Sequence, residues 1–324
     1  MNKMKLAIVY GAICGGCDVA LANWGERLID ISNKYDIIYW NAAVDAKNDL
    51  LESVREIDIG IYMGIIRTDY HLELIKTLRE KTRILVAYGT CSVYGDIPGL
   101  SALIKSSRLL NDIKNTVTTT HYSEENISSS ISLPRLLDSV YTVIQVVNPD
   151  IIVPGCPPSE ESNDELINIL LKIEPGYKPG GVIVLGEDRS LCYICPRKPE
   201  DFHRIVMPGI YRLHEVKLDE RKCFLEQGVI CLGPATRAAC KTPCIKNNFP
   251  CTGCMGPAPG VEDTGLKLIS SISSILLVDR EKELLEKGLA KQLDKIVDPM
   301  GLFYRYTLPV SLVKKISEKE RFGK

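Results

Sequence analysis

The sequence predicts an α/β fold: a doubly wound parallel sheet of the flavodoxin type, followed by a smaller cysteine-rich domain of irregular and helical structure. In the first half, short apolar runs alternate with amphipathic segments, as strands and helices do in a parallel sheet. After Glu187 the chain becomes dense in Cys, Pro and Gly and loses this periodicity. We expect one domain over residues 1–187 and a second over residues 188–324.

The order of the predicted elements is strand, helix, strand throughout the first domain. The predicted strands are Lys5–Tyr10, Ile37–Trp40, Ile57–Met63, Ile84–Tyr88, Ile151–Val153 and Val182–Leu185. The predicted helices are Val19–Asn33, Ala46–Glu56, Tyr70–Glu80 and Glu160–Ile173, with a further one near Lys282–Val297. The polar segment Ser106–Pro134 is predicted to be a long irregular surface insertion.

Composition excludes several classes of function. The chain has 324 residues and is 45% hydrophobic, which is enough for a sizeable core. A net charge of −1 and an aromatic content of 6% give no basis for binding nucleic acid or an anionic membrane. The apolar run before Cys14 resembles a short lipoprotein signal, but Ile13 is not a small residue and the run makes a better buried strand. We expect a cytoplasmic protein with no membrane span.

Twelve cysteines form the most specific pattern in the chain, and they divide into three groups of four. Four thiolates hold one [4Fe–4S] cluster, so twelve can hold three, and a row of clusters conducts single electrons. Reduced cytoplasmic thiols in pairs indicate metal more often than disulfide. The groups in chain order are Cys14, Cys17, Cys91 and Cys156, then Cys192, Cys195, Cys223 and Cys231, then Cys240, Cys244, Cys251 and Cys254.

The first group combines one Cys-Gly-Gly-Cys pair with two remote cysteines. Cys14, Cys91 and Cys156 each follow a predicted strand, so they are expected at one edge of the sheet. The glycines permit tight turns and a close approach of backbone N–H groups to cluster sulfides. Structural zinc is the alternative, but it favours two compact pairs, so we favour an iron–sulfur cluster.

The other two groups are less certain from spacing alone, since Cys231 and Cys240 could exchange places. Two zinc ribbons are the competing interpretation of this half. Asp18 directly follows Cys17. It could cap the following helix, or it could handle protons beside the metal site.

The cysteine motifs resemble, in order and over nearly the whole chain, the small subunit of [NiFe] hydrogenases. Within that family the sequence is most similar to the cytoplasmic F420-non-reducing (methyl viologen-reducing) hydrogenase small subunits of methanogens and related archaea. The motifs that carry the resemblance are Cys14-Gly-Gly-Cys17, Gly89-Thr-Cys91, Pro154-Gly-Cys156-Pro-Pro, Cys192-x-x-Cys195, Cys231-Leu-Gly-Pro-Ala-Thr-Arg-Ala-Ala-Cys240, Pro250-Cys-Thr-Gly-Cys254 and the tail Ile296–Pro309.

This resemblance implies an electron-transfer subunit whose active site lies in a separate nickel–iron large subunit. It implies three [4Fe–4S] clusters: a proximal one on the first group of cysteines, a distal one on the second and a medial one on the third. An acceptor subunit, an iron–sulfur or flavin protein such as one linked to heterodisulfide reductase, would then take the electrons. The family usually has Glu where this chain has Asp18, which puts an inherited proton-path role for Asp18 in doubt.

Two alternatives remain open from the sequence. The first is the small subunit of a coenzyme F420-reducing hydrogenase, whose partner carries a flavin. The second is a zinc-binding interaction protein. A quinone-reductase subunit of the complex I type shares the first domain, but it would not carry the eight cysteines from Cys192 onward.

Overall fold

A six-stranded parallel sheet organises the first half of the computed structural model, which describes residues 3–46, 48–120, 133–201, 204–276 and 289–322. All six predicted strands are confirmed, with ends within two residues of the prediction. The strands in chain order are β1 (Met4–Tyr10), β2 (Tyr35–Trp40), β3 (Ile57–Met63), β4 (Ile66–Thr68), β5 (Thr82–Tyr88), β6 (Leu136–Tyr141), β7 (Ile151–Val153), β8 (Ile183–Val184), β9 (Glu187–Ser190) and β10 (Arg237–Ala238).

The strand order of this sheet is β2-β1-β3-β5-β7-β8, and every neighbouring pair is parallel. This is the doubly wound, flavodoxin-like arrangement, with its reversal between β1 and β3. The carboxyl ends of all six strands therefore lie at one edge. Two small antiparallel pairs, β4 with β6 and β9 with β10, lie outside the sheet.

Helices cover both faces of the sheet. One face packs Ile8 and Ile61 against Leu21 and Leu166, and the other packs Leu85 against helix residues on the opposite side. The helices in chain order are α1 (Gly16–Ala22), α2 (Arg27–Lys34), α3 (Asn48–Ser53), α4 (Asp69–Lys81), α5 (Thr90–Tyr94), α6 (Ser106–Lys114), α7 (Val143–Val146), α8 (Glu160–Lys172), α9 (Pro243–Lys246), α10 (Thr264–Ser273), α11 (Leu289–Leu293), α12 (Pro299–Phe303) and α13 (Leu312–Phe322).

The helix predicted over Val19–Asn33 is wrong in one respect, because it is two helices. The chain turns between α1 and α2 at Gly25, whose φ of 56° lies in the left-handed region that favours glycine. Within the segment predicted as an irregular insertion, residues 106–114 form α6, and residues 121–132 lie outside the described part of the chain. Of the helix predicted near residues 282–297, the structure describes α11, while residues 277–288 lie outside it.

The second half has short elements arranged around its own apolar core. Phe224, Leu232 and Leu268 are buried in that core, and two- to four-residue strands and 3-10 turns connect them. The C-terminal segment then returns to the first half, where the Lys314 ammonium donates to the Val140 carbonyl at 2.9 Å. In the described part of the chain, no helix is both long and apolar enough to cross a membrane.

Candidate iron–sulfur sites

The carboxyl edge of the sheet brings the proximal cysteines together. Cys14 follows β1, Cys91 lies in the first turn of α5 after β5, and Cys156 follows β7. Cys17 lies in α1, whose first turn begins after Gly15 at a φ of 93°. A Cβ atom at Gly89 would lie 2.4 Å from the Cys17 Sγ, so only glycine leaves room for this thiol.

The proximal thiols are close enough for the charge on one to affect another. Burial, and then the neighbouring Cys14, raise the pKa of Cys17 to about 12. Burial is also the main cause of the raised pKa values of Cys91 and Cys156, and Cys17 contributes to both. Cys14 itself is exposed, so this group opens to the surface on one side.

The four distal cysteines line one cavity, together with Leu191, Gly233 and Ile245 among others. A Cβ atom at Gly233 would lie 3.2 Å from the Cys192 Sγ and 3.7 Å from the Cys231 Sγ, so this glycine lets backbone approach both thiols. Burial raises the pKa of Cys192, and negative charge on Cys231, Cys223 and Cys195 raises it further.

The medial cysteines form a looser set around the short helix α9. Burial and the neighbouring Cys240 and Cys244 raise the pKa of Cys254 to about 12. Cys251 is buried, and its thiol lies 3.7 Å from the Thr236 hydroxyl, to which it can donate. Cys244 is exposed.

Thiols of different groups also influence one another, and these pairs indicate the order of the three cysteine groups in space. Besides burial, Cys254 of the medial group raises the pKa of Cys156 in the proximal group. Besides burial, Cys231 of the distal group raises the pKa of Cys251 in the medial group. Direct contacts give the same order, since the Thr90 hydroxyl, next to Cys91, donates to the Cys254 carbonyl at 2.6 Å, and the Leu232 N–H, next to Cys231, donates to the Cys251 carbonyl at 2.9 Å. The segment that carries Cys251 and Cys254 thus lies between the other two groups. Cys231 lines the same cavity as Cys192, Cys195 and Cys223, and charge on Cys240 and Cys244 acts on Cys254. The division of the cysteines into a medial and a distal set stays a prediction.

The donor chemistry fits iron–sulfur clusters. All twelve thiols are free, so each group can offer four thiolate ligands. Among the residues that the structure describes, no three Cys, His, Asp or Glu side chains converge on a point that one ion could occupy. The distal thiols surround a space instead. Because burial favours the neutral thiol, cluster binding would release protons from these groups.

Asp18 has a different local role from the helix cap considered above. Gly15 is the N-cap residue of α1, so the capping interpretation is wrong. The Asp18 carboxylate instead accepts hydrogen bonds from the Tyr10 hydroxyl and from the Trp40 indole, the latter at 2.7 Å. These bonds tie α1 to the ends of β1 and β2. A role for Asp18 in proton transfer stays a prediction.

Asp96 is a site residue that sequence reasoning missed. It is 1% exposed, and its φ of 52° is unusual for a residue with a side chain. One carboxylate oxygen accepts from the Ile97 N–H at 2.6 Å, and the other oxygen is buried without a hydrogen-bond partner among the residues that the structure describes. Negative charge on Asp96 also raises the pKa values of Cys91 and Cys156, after burial. Burial raises the pKa of Asp96 itself. The sequence did offer a signal for this site residue, because Asp96 is an acidic residue five positions after the predicted ligand Cys91 and directly before Ile97-Pro98.

Comparison with known proteins agrees with this geometry. A subunit of the F420-non-reducing hydrogenase of Methanothermobacter marburgensis is 36% identical over 322 residues, covering 98% of this chain and 99% of the relative. The iron–sulfur subunit of the F420-non-reducing hydrogenase of Archaeoglobus profundus is 33% identical, covering 96% and 98%. The chain belongs to this family of hydrogenase small subunits. The family assignment inferred from the cysteine motifs is therefore confirmed.

Two further matches each cover about half of this hydrogenase small subunit. The family model for the NADH ubiquinone oxidoreductase 20 Kd subunit matches residues 14–173, which include the proximal cysteines and end before Cys192. A crystal structure of an NAD+-reducing [NiFe]-hydrogenase in the H2-reduced state is 27% identical, with a TM-score of 0.46 over 54% of this chain and 96% of that one.

Proposed function

We propose that this subunit carries single electrons between the nickel–iron site of a large subunit, which splits or makes H2, and an acceptor, through three [4Fe–4S] clusters. The observation that supports this most is the row of three four-cysteine groups, in which the Cys254 carbonyl accepts from the Thr90 hydroxyl beside Cys91 and the Cys251 carbonyl accepts from the Leu232 N–H beside Cys231. When bound, a cluster supplies reversible one-electron chemistry. The protein contributes the spacing, the exclusion of water and the local electrostatics.

The ligand assignment of the proposal follows the three groups. Cys14, Cys17, Cys91 and Cys156 would hold the proximal cluster, Cys240, Cys244, Cys251 and Cys254 the medial one, and Cys192, Cys195, Cys223 and Cys231 the distal one. Glycines beside these residues keep the backbone close to the thiols, and the Gly16 N–H already donates to the Cys14 Sγ at 3.5 Å. Such donors stabilise negative charge on sulfur.

The large subunit is proposed to cover the proximal edge of the sheet. Cys14 is exposed there, and Val19 in α1 leaves 59% of its surface exposed. A permanent hydrogenase interface that also excludes water should bury more than about 2,000 Å² in total. The acceptor, an iron–sulfur or flavin protein, is proposed to dock at the distal end of the row. The reduced thiols favour a cytoplasmic location.

Metal analysis of the anaerobically purified complex tests the central claim. We expect about twelve iron and about twelve acid-labile sulfide per copy of this subunit, from the four-iron composition of each cluster, after subtraction of the large subunit's iron. Stoichiometric zinc with little sulfide would instead support the zinc-binding alternative and overturn the proposal.

Cys244 provides a sharper test of the medial assignment, because its exposure lets it be replaced with little effect on packing. In the Cys244→Ala variant we expect a three-iron medial cluster, visible by EPR in the oxidised state, with the other two clusters unchanged. Lys246→Ala, in the same helix, is the matched control and should retain the wild-type spectrum. An unchanged spectrum in Cys244→Ala would remove Cys244 from the ligand set.

The second candidate, a small subunit of an F420-reducing hydrogenase, differs in the partner that accepts electrons. The relatives described above are F420-non-reducing enzymes, which favours the first candidate. Reduction of a viologen dye by H2 without reduction of coenzyme F420 would support it. H2-dependent F420 reduction by a purified complex containing flavin would support the second.

A further inference from the structure

The last four residues of the tail singled out in the sequence, together with the three that follow, form a strap, residues Tyr306–Leu312, that is fixed to both halves of the molecule. On the side of the first half, the Asp96 N–H donates to the Tyr306 carbonyl at 3.1 Å, and the Gln145 side-chain amide donates to the Pro309 carbonyl at 2.8 Å. The Pro309 ring fills a notch over Gly99, where a Cβ atom would come within 2.6 Å of it. The close contact leaves the strap little freedom to move toward the 3-10 helix Ile97–Leu103, which contains Gly99.

The same strap is anchored in the second half. Leu308 is buried in the core of that half. The Leu312 N–H donates at 2.8 Å to one oxygen of Asp263, and the other oxygen caps α10 by accepting from the Leu266 N–H at 2.8 Å. A single buried carboxylate therefore fixes both the strap and the helix that supports the second core.

The Tyr306 side chain lies where the proximal and medial groups meet. Its hydroxyl is 3.2 Å from that of Thr252, which lies between Cys251 and Cys254 in the chain. Burial raises the pKa of Tyr306, and charge on Cys254, on Cys156 and on Asp96 raises it further. The ring is thus close to one ligand candidate of each group. Thr90 makes a parallel link, accepting from the Gly155 N–H at 2.8 Å and donating to the Cys254 carbonyl at 2.6 Å.

We propose that Tyr306 is a positioning residue that sets the gap between the proximal and medial groups and fills the space across which the electron passes. This inference rests on the proposed function. Electron transfer slows steeply as the donor and acceptor separate, and it is slower across a void than across packed atoms. The Tyr306 backbone is bonded to the first half and its hydroxyl contacts the second. The residue therefore fixes both the distance between the two groups and the packing of the space between them.

The test uses the complete hydrogenase complex and compares Tyr306→Leu, Tyr306→Phe and Tyr304→Phe. The oxidised complex is mixed with H2, and reduction of each cluster is followed by rapid freeze-quench EPR. In Tyr306→Leu, we expect reduction of the proximal cluster at the wild-type rate and reduction of the medial cluster about tenfold more slowly, equivalent to about 1.4 kcal/mol on the barrier. Tyr306→Phe keeps the packed ring but loses the hydroxyl contact with Thr252, so its rate of medial reduction should lie between those of the wild type and Tyr306→Leu. Tyr304, whose ring packs on Gly265, is the matched control and should show no change.

A second variant moves the strap without altering Tyr306. In Gly99→Ala the new methyl group would meet the Pro309 ring and push the strap outward. We expect a weaker magnetic interaction between the reduced proximal and medial clusters, and slower medial reduction, with full iron content. This variant serves if Tyr306→Leu fails to assemble.

The outcomes separate this inference from the proposed function. If wild-type complex contains three clusters and passes electrons, but Tyr306→Leu and Gly99→Ala reduce the medial cluster at the wild-type rate, the positioning role is overturned. If Tyr306→Phe is as slow as Tyr306→Leu, the claim that the packed ring speeds electron passage is overturned. If the wild-type protein lacks iron and sulfide, the proposed function itself fails.

Discussion

The two halves of the molecule are stabilised in different ways. The first half buries a six-stranded sheet between two apolar layers, and residues such as Ile61 and Leu85 have no solvent exposure. The second half holds eight of the twelve cysteines, and its longest described helices, α10 and α13, have ten and eleven residues. Its strands have two and four residues. A sheet fixes its strands through a continuous ladder, whereas short turns need other constraints.

This difference indicates where the clusters contribute to stability as well as to electron transfer. Metal binding at sites absent from the unfolded chain adds directly to folding free energy. The proximal cysteines lie on loops and short helices that directly follow strands already fixed by the sheet. The medial and distal cysteines lie among turns, so their order depends more on the bound groups. The first half should therefore tolerate cluster loss and the second should not.

Removal of the clusters is the most direct test of this difference in stability between the two halves. After anaerobic treatment with an iron chelator and a reductant, we expect backbone amides between Cys192 and Cys254 to lose protection from hydrogen exchange. Amides of β1, β3 and β5 should keep theirs, because the sheet does not need iron. Exchange measured by mass spectrometry resolves both regions in one experiment.

Reconstitution with iron and sulfide is the control and should restore protection in the second half. Equal loss of protection in both halves would show that the clusters stabilise the molecule as one unit. Retention in both would show that the apolar core around Leu268 is sufficient alone.

Two core substitutions, one in each half, test the same difference in stability and should have a smaller effect. Ile61→Ala, in the central strand β3, should lower the free energy of unfolding of the first half by about 2–5 kcal/mol with or without iron, as for other buried Ile-to-Ala changes. Leu268→Ala, equally buried in α10, should destabilise the second half only in the cluster-loaded protein, since that half is already open without clusters. Urea unfolding of both forms measures the difference. A destabilising effect of Leu268→Ala in iron-free protein would contradict the comparison.

Much of the first half could be predicted because its signals are local. Each strand of the sheet is a short apolar run, and the strand ends place Cys14, Cys91 and Cys156 at one edge. The break at Gly25 was missed because apolar periodicity continues on both sides of the glycine. The β4–β6 pair was missed because Ile66–Thr68 is short and its partner strand begins at Leu136, far along the chain.

In the candidate sites, too, local sequence patterns predicted what is local and missed what depends on contacts between distant residues. Residue type and spacing indicated all twelve cysteines, but spacing could not assign Cys231 and Cys240 to their groups, which depends on how distant turns pack. Asp96 and Tyr306 meet through a backbone hydrogen bond between residues 210 positions apart in a chain of 324, and no local pattern encodes such a contact.

The pH dependence of the first half gives the smallest effect and concerns a half-buried histidine outside the cysteine sites. Burial lowers the pKa of His71, in the first turn of α4, and its Nδ1 accepts from the Arg67 N–H at 3.4 Å. The folded state therefore holds a neutral imidazole, whereas the unfolded chain takes up a proton near pH 6.5. Its contribution to stability is present above that pH and is lost as the pH falls toward the lowered folded pKa.

We expect the thermal midpoint of the first half to fall less between pH 7 and pH 5 in His71→Asn than in wild type. His214→Asn, at an exposed position of the second half, should leave the wild-type slope unchanged, and an unchanged slope in His71→Asn would show that other groups cause the acid sensitivity.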